Sequence, residues 1–225
     1  MLQQLVICSI KNFATDCQQL CVKHYPAIHN QGMTAHHLGL AFAKRLSADL
    51  LQAGYPSEHH SNKHGSNEHG SNKHRAIEST QRVEQANLYR VTSSLGTVWV
   101  ITHHFINGNL NSRQQLIAHI QDWQSEYNDS IQPKDILLVV GDHWINRHSH
   151  SREMIHWWSG ALPEELDNYR QQGVKLVASE QTFSKQLLNG CGLSPYYCHY
   201  IHPLHSTVTQ KVVLRYAQFF SLIHP

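Results

Sequence analysis

The chain has 225 residues, 40 % of them apolar, and a formal net charge of only +2. That is enough to bury a core of ordinary size, and it excludes both a disordered polyelectrolyte and a globally basic nucleic-acid-coating protein. The five cysteines (Cys8, Cys17, Cys21, Cys191, Cys198) form no CxxC pair, no apolar run approaches the ~20 residues of a membrane span, and Met1–Ile10 lacks the pattern of a secretory signal. The expectation is a soluble, cytoplasmic protein with no membrane partner.

Two N-terminal helices are predicted first. Leu5, Val6, Ile10, Phe13, Cys17, Leu20 and Cys21 fit one buried helical face, which Tyr25-Pro26 ends. Thr34 is an N-cap for a second helix, with Leu38, Phe42, Leu46 and Leu50 on one stripe and Gly54 beyond its end. Residues 1–56 are thus expected to be a helical segment packed on the rest.

Residues 57–76 read as a histidine-rich flexible linker. Ser61–Gly65, Ser66–Gly70 and Ser71–Arg75 are three copies of one polar five-residue unit. It admits two readings: a slipped repeat without a role, or a tract that scavenges zinc, copper or nickel through neutral imidazoles.

Residues 77–225 are expected to form an α/β core. Leu88–Thr92 and Thr97–Ile106 read as a hairpin about Ser93–Gly96. The second strand is apolar on both faces, as suits a covered central strand. Ser112–Tyr127 has the stripe Leu116, Ile120, Trp123, Tyr127 of an amphipathic helix, with Ser112 and Gln115 as a capping box. Asp135–Trp144 (DILLVVGDHW) is then a buried strand reached by a helical crossover. Beyond it the sequence predicts a helix over Ser151–Trp158, another from Pro163 to Gly173, a third core strand at Val174–Ala178, an irregular Gly190–Pro203, and a closing helix over Thr207–Ile223.

This order resembles the PD-(D/E)XK restriction-endonuclease-like superfamily. The likeness covers roughly 32–178 and rests on the element order, with "WVI-x-x-x-F" followed by "RQQL…W". It implies a mixed sheet of a hairpin plus parallel strands, flanked by helices. It also implies action on nucleic acid, DNA rather than RNA, in a mobile-element or defence system, with a protein complex as a further expectation. In that superfamily one hairpin strand supplies an Asp, the next a Glu-x-Lys and the following helix a Gln, and the carboxylates hold the catalytic metal. Here Val91 and Thr92 stand at the Asp, Thr102-His103-His104 stands at Glu-x-Lys, and Gln114 and Gln115 fit the helix Gln. No carboxylate occurs between Gln85 and Asp122, so the usual Mg²⁺ site cannot come from these strands.

Histidine is the compositional outlier, with twenty residues. The expected catalytic residues are His104, Asp142 and Gln115. His103, His143, His150 and Asp142 are the candidate ligands of a divalent metal, Mg²⁺, Mn²⁺ or Zn²⁺. Arg113, Arg147, Arg152 and Lys175 are the candidate phosphate contacts. Trp157-Trp158 and Tyr196-Tyr197 read either as base-stacking pairs or as packing. Three functions follow: a nucleic-acid-binding protein with an altered or lost phosphodiesterase site, a His/Asp metal-dependent hydrolase, or a Rossmann-like sensor or assembly subunit without chemistry.

Overall fold

The computed structural model describes residues 1–24, 34–62, 87–146, 148–206 and 209–225. Among these residues six strands form one mixed sheet with helices on both faces: β1 (Ser57–Asn62), β2 (Asn87–Ser93), β3 (Gly96–His104), β4 (Ile136–Trp144), β5 (Pro195–Ile201) and β6 (Tyr216–Ile223), in the spatial order β1-β2-β3-β4-β6-β5. β1, β2 and β3 are an antiparallel meander, β3 and β4 are parallel, and β6 returns antiparallel to both β4 and β5.

The helices are α1 (Leu2–His24), α2 (Ala35–Gln52), α3 (Leu110–Tyr127), α4 (Ser149–Arg152), α5 (Met154–Ser159), α6 (Leu166–Gln171) and α7 (Phe183–Cys191). α1 and α2 cover one face of the sheet. Phe13, Phe42, Val98, Val100, Leu138, Val140, Phe220 and Leu222 pack there. The opposite face carries Trp99, Ile101, Phe105, Leu137, Val139 and Phe219 against Trp123, Trp157, Trp158 and Phe183 from the other helices. Each fully buried side chain of this size contributes about 2 kcal/mol. Both faces of β3 and β4 are apolar because both are covered, which the sequence pattern had required.

Local chemistry fixes the β2–β3–α3–β4 unit. Gly96 closes the β2–β3 turn at φ +136°, and a Cβ there would stand 3.0 Å from the Lys134 carbonyl. Asp135 ties the start of β4 to β3: its carboxylate accepts from Thr97 N (2.9 Å), Trp99 Nε1 (3.3 Å) and Gln132 N (3.0 Å). α3 starts at Leu110, two residues before the expected Ser112, because Asn109 is the N-cap and accepts from Ser112 N at 2.9 Å. Thr34 caps α2 as its sequence predicts, accepting from His37 N at 3.2 Å.

Several expectations are corrected. Ser57–Asn62, the start of the predicted linker, is edge strand β1; residues 63–76 lie outside those described. The predicted closing helix is strand β6 over its second half. Tyr216, Phe219, Phe220 and Ile223 mimic helical spacing because a strand buried at every step shows no strict alternation of apolar and polar residues. Val174–Ala178 forms no strand: the place beside β4 belongs to β6, and Val177 N instead bonds the Arg152 carbonyl at 3.1 Å. Pro195–Ile201, within the predicted irregular segment, is β5. Ser151–Trp158 is two short helices, α4 and α5, meeting at Glu153, and the helix expected from Pro163 begins at Leu166.

The direction of α2 matters for the site. Gly39 sits over Tyr89 and Thr102; an added Cβ would meet the Tyr89 ring at 2.3 Å and Thr102 Cγ2 at 2.7 Å. At its other end α2 leads into Ser57, which pairs with Ser93, itself opposite Gly96 at the start of β3. α2 therefore runs opposite to β3, and its N-terminus overhangs the strand's exit end.

Candidate site at the exit ends of β3 and β4

Alternation along the strands sorts the polar residues. Thr102 and His104 on β3, Asp142 and Trp144 on β4, and Tyr216 and Gln218 on β6 face the α1/α2 layer. His103 and His143 face the α3 layer. Register completes the first group, since His104 pairs with Asp142, Asp142 with Gln218 and Trp144 with Tyr216.

Asp142 is fully buried. Its Oδ1 lies 2.8 Å from His104 Nδ1, and its Oδ2 accepts from the Tyr216 hydroxyl at 2.9 Å. A carboxylate taken out of water loses several kcal/mol of solvation, and charge-assisted hydrogen bonds on both oxygens are what offset that loss. His104 reaches the surface with 19 % of its side chain exposed. The Tyr216 ring lies 5.0 Å from that of Trp144, whose Nε1 is buried with no partner among the described residues. Nearby, the Tyr89 hydroxyl bonds both Nδ1 and the carbonyl of His36, in the first turn of α2, at 2.8 Å each. Burial pushes that phenol up to about 12, so it stays neutral.

The α3 side of the same strand ends is chemically different. His143 Nδ1–H donates to the Phe105 carbonyl at 2.5 Å, and Nε2 accepts from Ser151 Oγ at 2.6 Å. Both ring nitrogens are thus engaged inside the protein. Burial pulls His143 down to about 4. His103 is pulled down to about 3, first by burial, then by His119 and His104; its Nε2 lies 3.4 Å from Ser112 Oγ. Gly141 is required between them, since a Cβ there would meet the Phe105 ring at 2.7 Å.

The four residues expected to hold a metal therefore do not converge. His103 and His143 lie on one face and Asp142 on the other. His150 is an exposed α4 residue whose carbonyl accepts from Arg113 NH2 at 2.8 Å. Glu153 and His156, which follow His150 in the chain, serve Arg113 and the backbone of Ser179. Among the described residues no group of three or more His, Cys, Asp or Glu has metal-binding geometry. Gln115 is half-buried on α3, in the layer opposite His104.

The expected basic rim also changes. Arg113 is buried: its guanidinium bonds the Gly108 carbonyl (2.9 Å), Glu153 (3.2 Å) and Ser179 Oγ (3.2 Å) and lies over Trp157. It braces the fold and offers no phosphate contact. Arg152 is half-buried, Lys175 is exposed, and Arg147 lies outside the described residues. Trp157 and Trp158 are core residues whose indole N–H groups bond Gln186 Oε1 and the Phe220 carbonyl. No helix among the described residues is long and apolar enough to cross a membrane.

Sequence reasoning missed Tyr216 and Gln218 because it placed them on a helix. The available signal was Gln218 itself, one amide inside the apolar run YAQFFSLI.

No family model matches the chain, and no curated protein matches it. A solved structure of humanized D. rerio TDP2 with 14 mutations is similar over 62 % of this chain at 11 % identity and a TM-score of 0.26. The match spans 60 % of that protein's length, and a likeness this slight carries no argument about fold or activity.

Proposed function

We propose that the chain acts on nucleic acid from a restriction-endonuclease-like scaffold, with His104 and Asp142 standing in for the superfamily's carboxylates. The element order supports the scaffold: antiparallel β1-β2-β3, then α3, then β4 parallel to β3. Thr102 and His104 occupy the Glu-x-Lys positions and share the α1/α2 face.

The observation that carries the proposal is the His104–Asp142 pair. A buried carboxylate held on a partly exposed imidazole sits at the exit ends of two parallel strands, where α/β folds bind their ligands. The same pair can orient an imidazole as a general base toward water, a contribution worth about 10²–10⁴ in rate. The N-terminus of α2, with His36 and His37, adds a positive end suited to a phosphate. Divalent metal belongs to this proposal as a variable to be tested.

The test uses labelled single- and double-stranded DNA and RNA, with Mg²⁺, Mn²⁺, Zn²⁺ or chelator. The proposal expects salt-sensitive binding that His104→Ala weakens. Where cleavage occurs, it expects Asp142→Asn to abolish it. Absence of both binding and cleavage under every condition would overturn it.

A further inference from the structure

Beyond the pair itself, a directional hydrogen-bond chain runs from α1 into the site. Gln218 is fully buried, and its Nε2 lies 2.8 Å from Cys17 Sγ on α1 and 3.3 Å from the Tyr216 hydroxyl. Tyr216 in turn reaches Asp142 Oδ2 at 2.9 Å, and Asp142 Oδ1 reaches His104 Nδ1 at 2.8 Å.

We propose that Tyr216 and Gln218 are positioning residues that fix the tautomer of His104. The argument is one of proton counting. A side-chain amide nitrogen has two protons and no lone pair to offer, so Gln218 gives one to the Cys17 sulfur and one to the Tyr216 oxygen. The phenol has a single proton. With the amide already donating to its oxygen, that proton goes to Asp142. With the Tyr216 proton on its Oδ2, Asp142 accepts at both oxygens, and Oδ1 takes the Nδ1 proton of His104. The imidazole is held with Nδ1 protonated, and Nε2 is its proton-accepting nitrogen. The Cys17 sulfur takes the second amide proton, and Gln218 Oε1 is buried without a partner among the described residues. The functional meaning of the tautomer rests on the nucleic-acid reading above; the tautomer itself does not.

The His103/His143 side offers an internal standard. His143 is also held with Nδ1 protonated, but by the Phe105 carbonyl and Ser151, with no link to Tyr216.

The experiment is long-range ¹H–¹⁵N NMR of the full chain, ¹⁵N-labelled at histidine, near neutral pH. The wild type is expected to show His104 with Nδ1 protonated. Tyr216→Phe, which keeps the ring against Trp144, and Gln218→Met, close in shape, are each expected to shift His104 toward mixed tautomers while His143 stays unchanged. A role in packing alone would lower the unfolding midpoint and leave the His104 signature intact, which overturns the proposal. So would a wild-type His104 protonated at Nε2. Should one variant fail to fold, the other decides. If the wild type neither binds nor cleaves nucleic acid, the functional reading fails, yet these spectra still settle the roles of Tyr216 and Gln218.

Discussion

His103 and His104 are neighbours on one strand, and Asp142 and His143 on the next, yet each pair is split between two environments. On the α3 side His103 and His143 lie beneath helices, kept neutral by burial and held by backbone and serine oxygens. On the α1/α2 side His104 reaches solvent and leans on a buried carboxylate. The same residue type serves the core on one face and a candidate site on the other. What separates them is one step of strand alternation combined with which helices cover each face.

The difference can be broken first by acid. Below their unfolded value of about 6.5 the unfolded chain protonates His103 and His143, while the folded chain resists until about pH 3 and 4. Stability is therefore expected to fall as pH drops from about 6.5. At pH 5 the loss is on the order of 2 kcal/mol from each histidine. Urea unfolding from pH 7.5 to 5 measures it, and a flat profile would mean that protons reach the α3 face in the folded state.

The next largest effect belongs to Arg113. Arg113→Ala leaves Glu153 and two carbonyls without their partner and is expected to cost about 3 kcal/mol in urea unfolding. Nucleic-acid affinity per folded molecule should not change. A selective loss of affinity at full stability would return Arg113 to the binding surface.

Gly39→Ala sharpens the other side. Its methyl group must displace the Tyr89 ring or Thr102, so a cost of about 2 kcal/mol is expected, with movement of His36. Calorimetry and the His36 NMR signal report it. His104→Ala leaves a fully buried carboxylate with one of its two hydrogen bonds and should cost about 2 kcal/mol, since Tyr216 still serves Asp142. Binding or cleavage should nonetheless suffer most of all from this change. Lys175→Ala, on an exposed loop, should stay within about 0.5 kcal/mol. Its effect on affinity, read by a salt titration, tells whether that loop touches phosphate.

Much of the central unit was legible in the sequence because its signals are local. The Ser93–Gly96 turn, the doubly apolar strand at residue 97 and beyond, the stripe from Leu116 to Tyr127 and the run Ile136–Val140 each report their own conformation. β6 was not legible, since burial on both faces erases the period that separates strand from helix. Nor was β1, whose Ser-Glu-His-His sequence is polar because among the described residues it lies at a sheet edge, paired to β2. Of the candidate site, His104 and Asp142 were named from their places near strand ends. Tyr216, Gln218 and Cys17 join them across up to 201 residues of sequence.

By itself the sequence determined which segments could be buried and where the chain must turn, because side-chain hydrophobicity and backbone preference act within a few residues. Only the tertiary structure decided that β6 would take the place beside β4, that Arg113 would point inward, and which histidine of each neighbouring pair would meet a carboxylate. Those outcomes depend on register and on which layer covers each face, quantities set by contacts between segments that no single segment encodes.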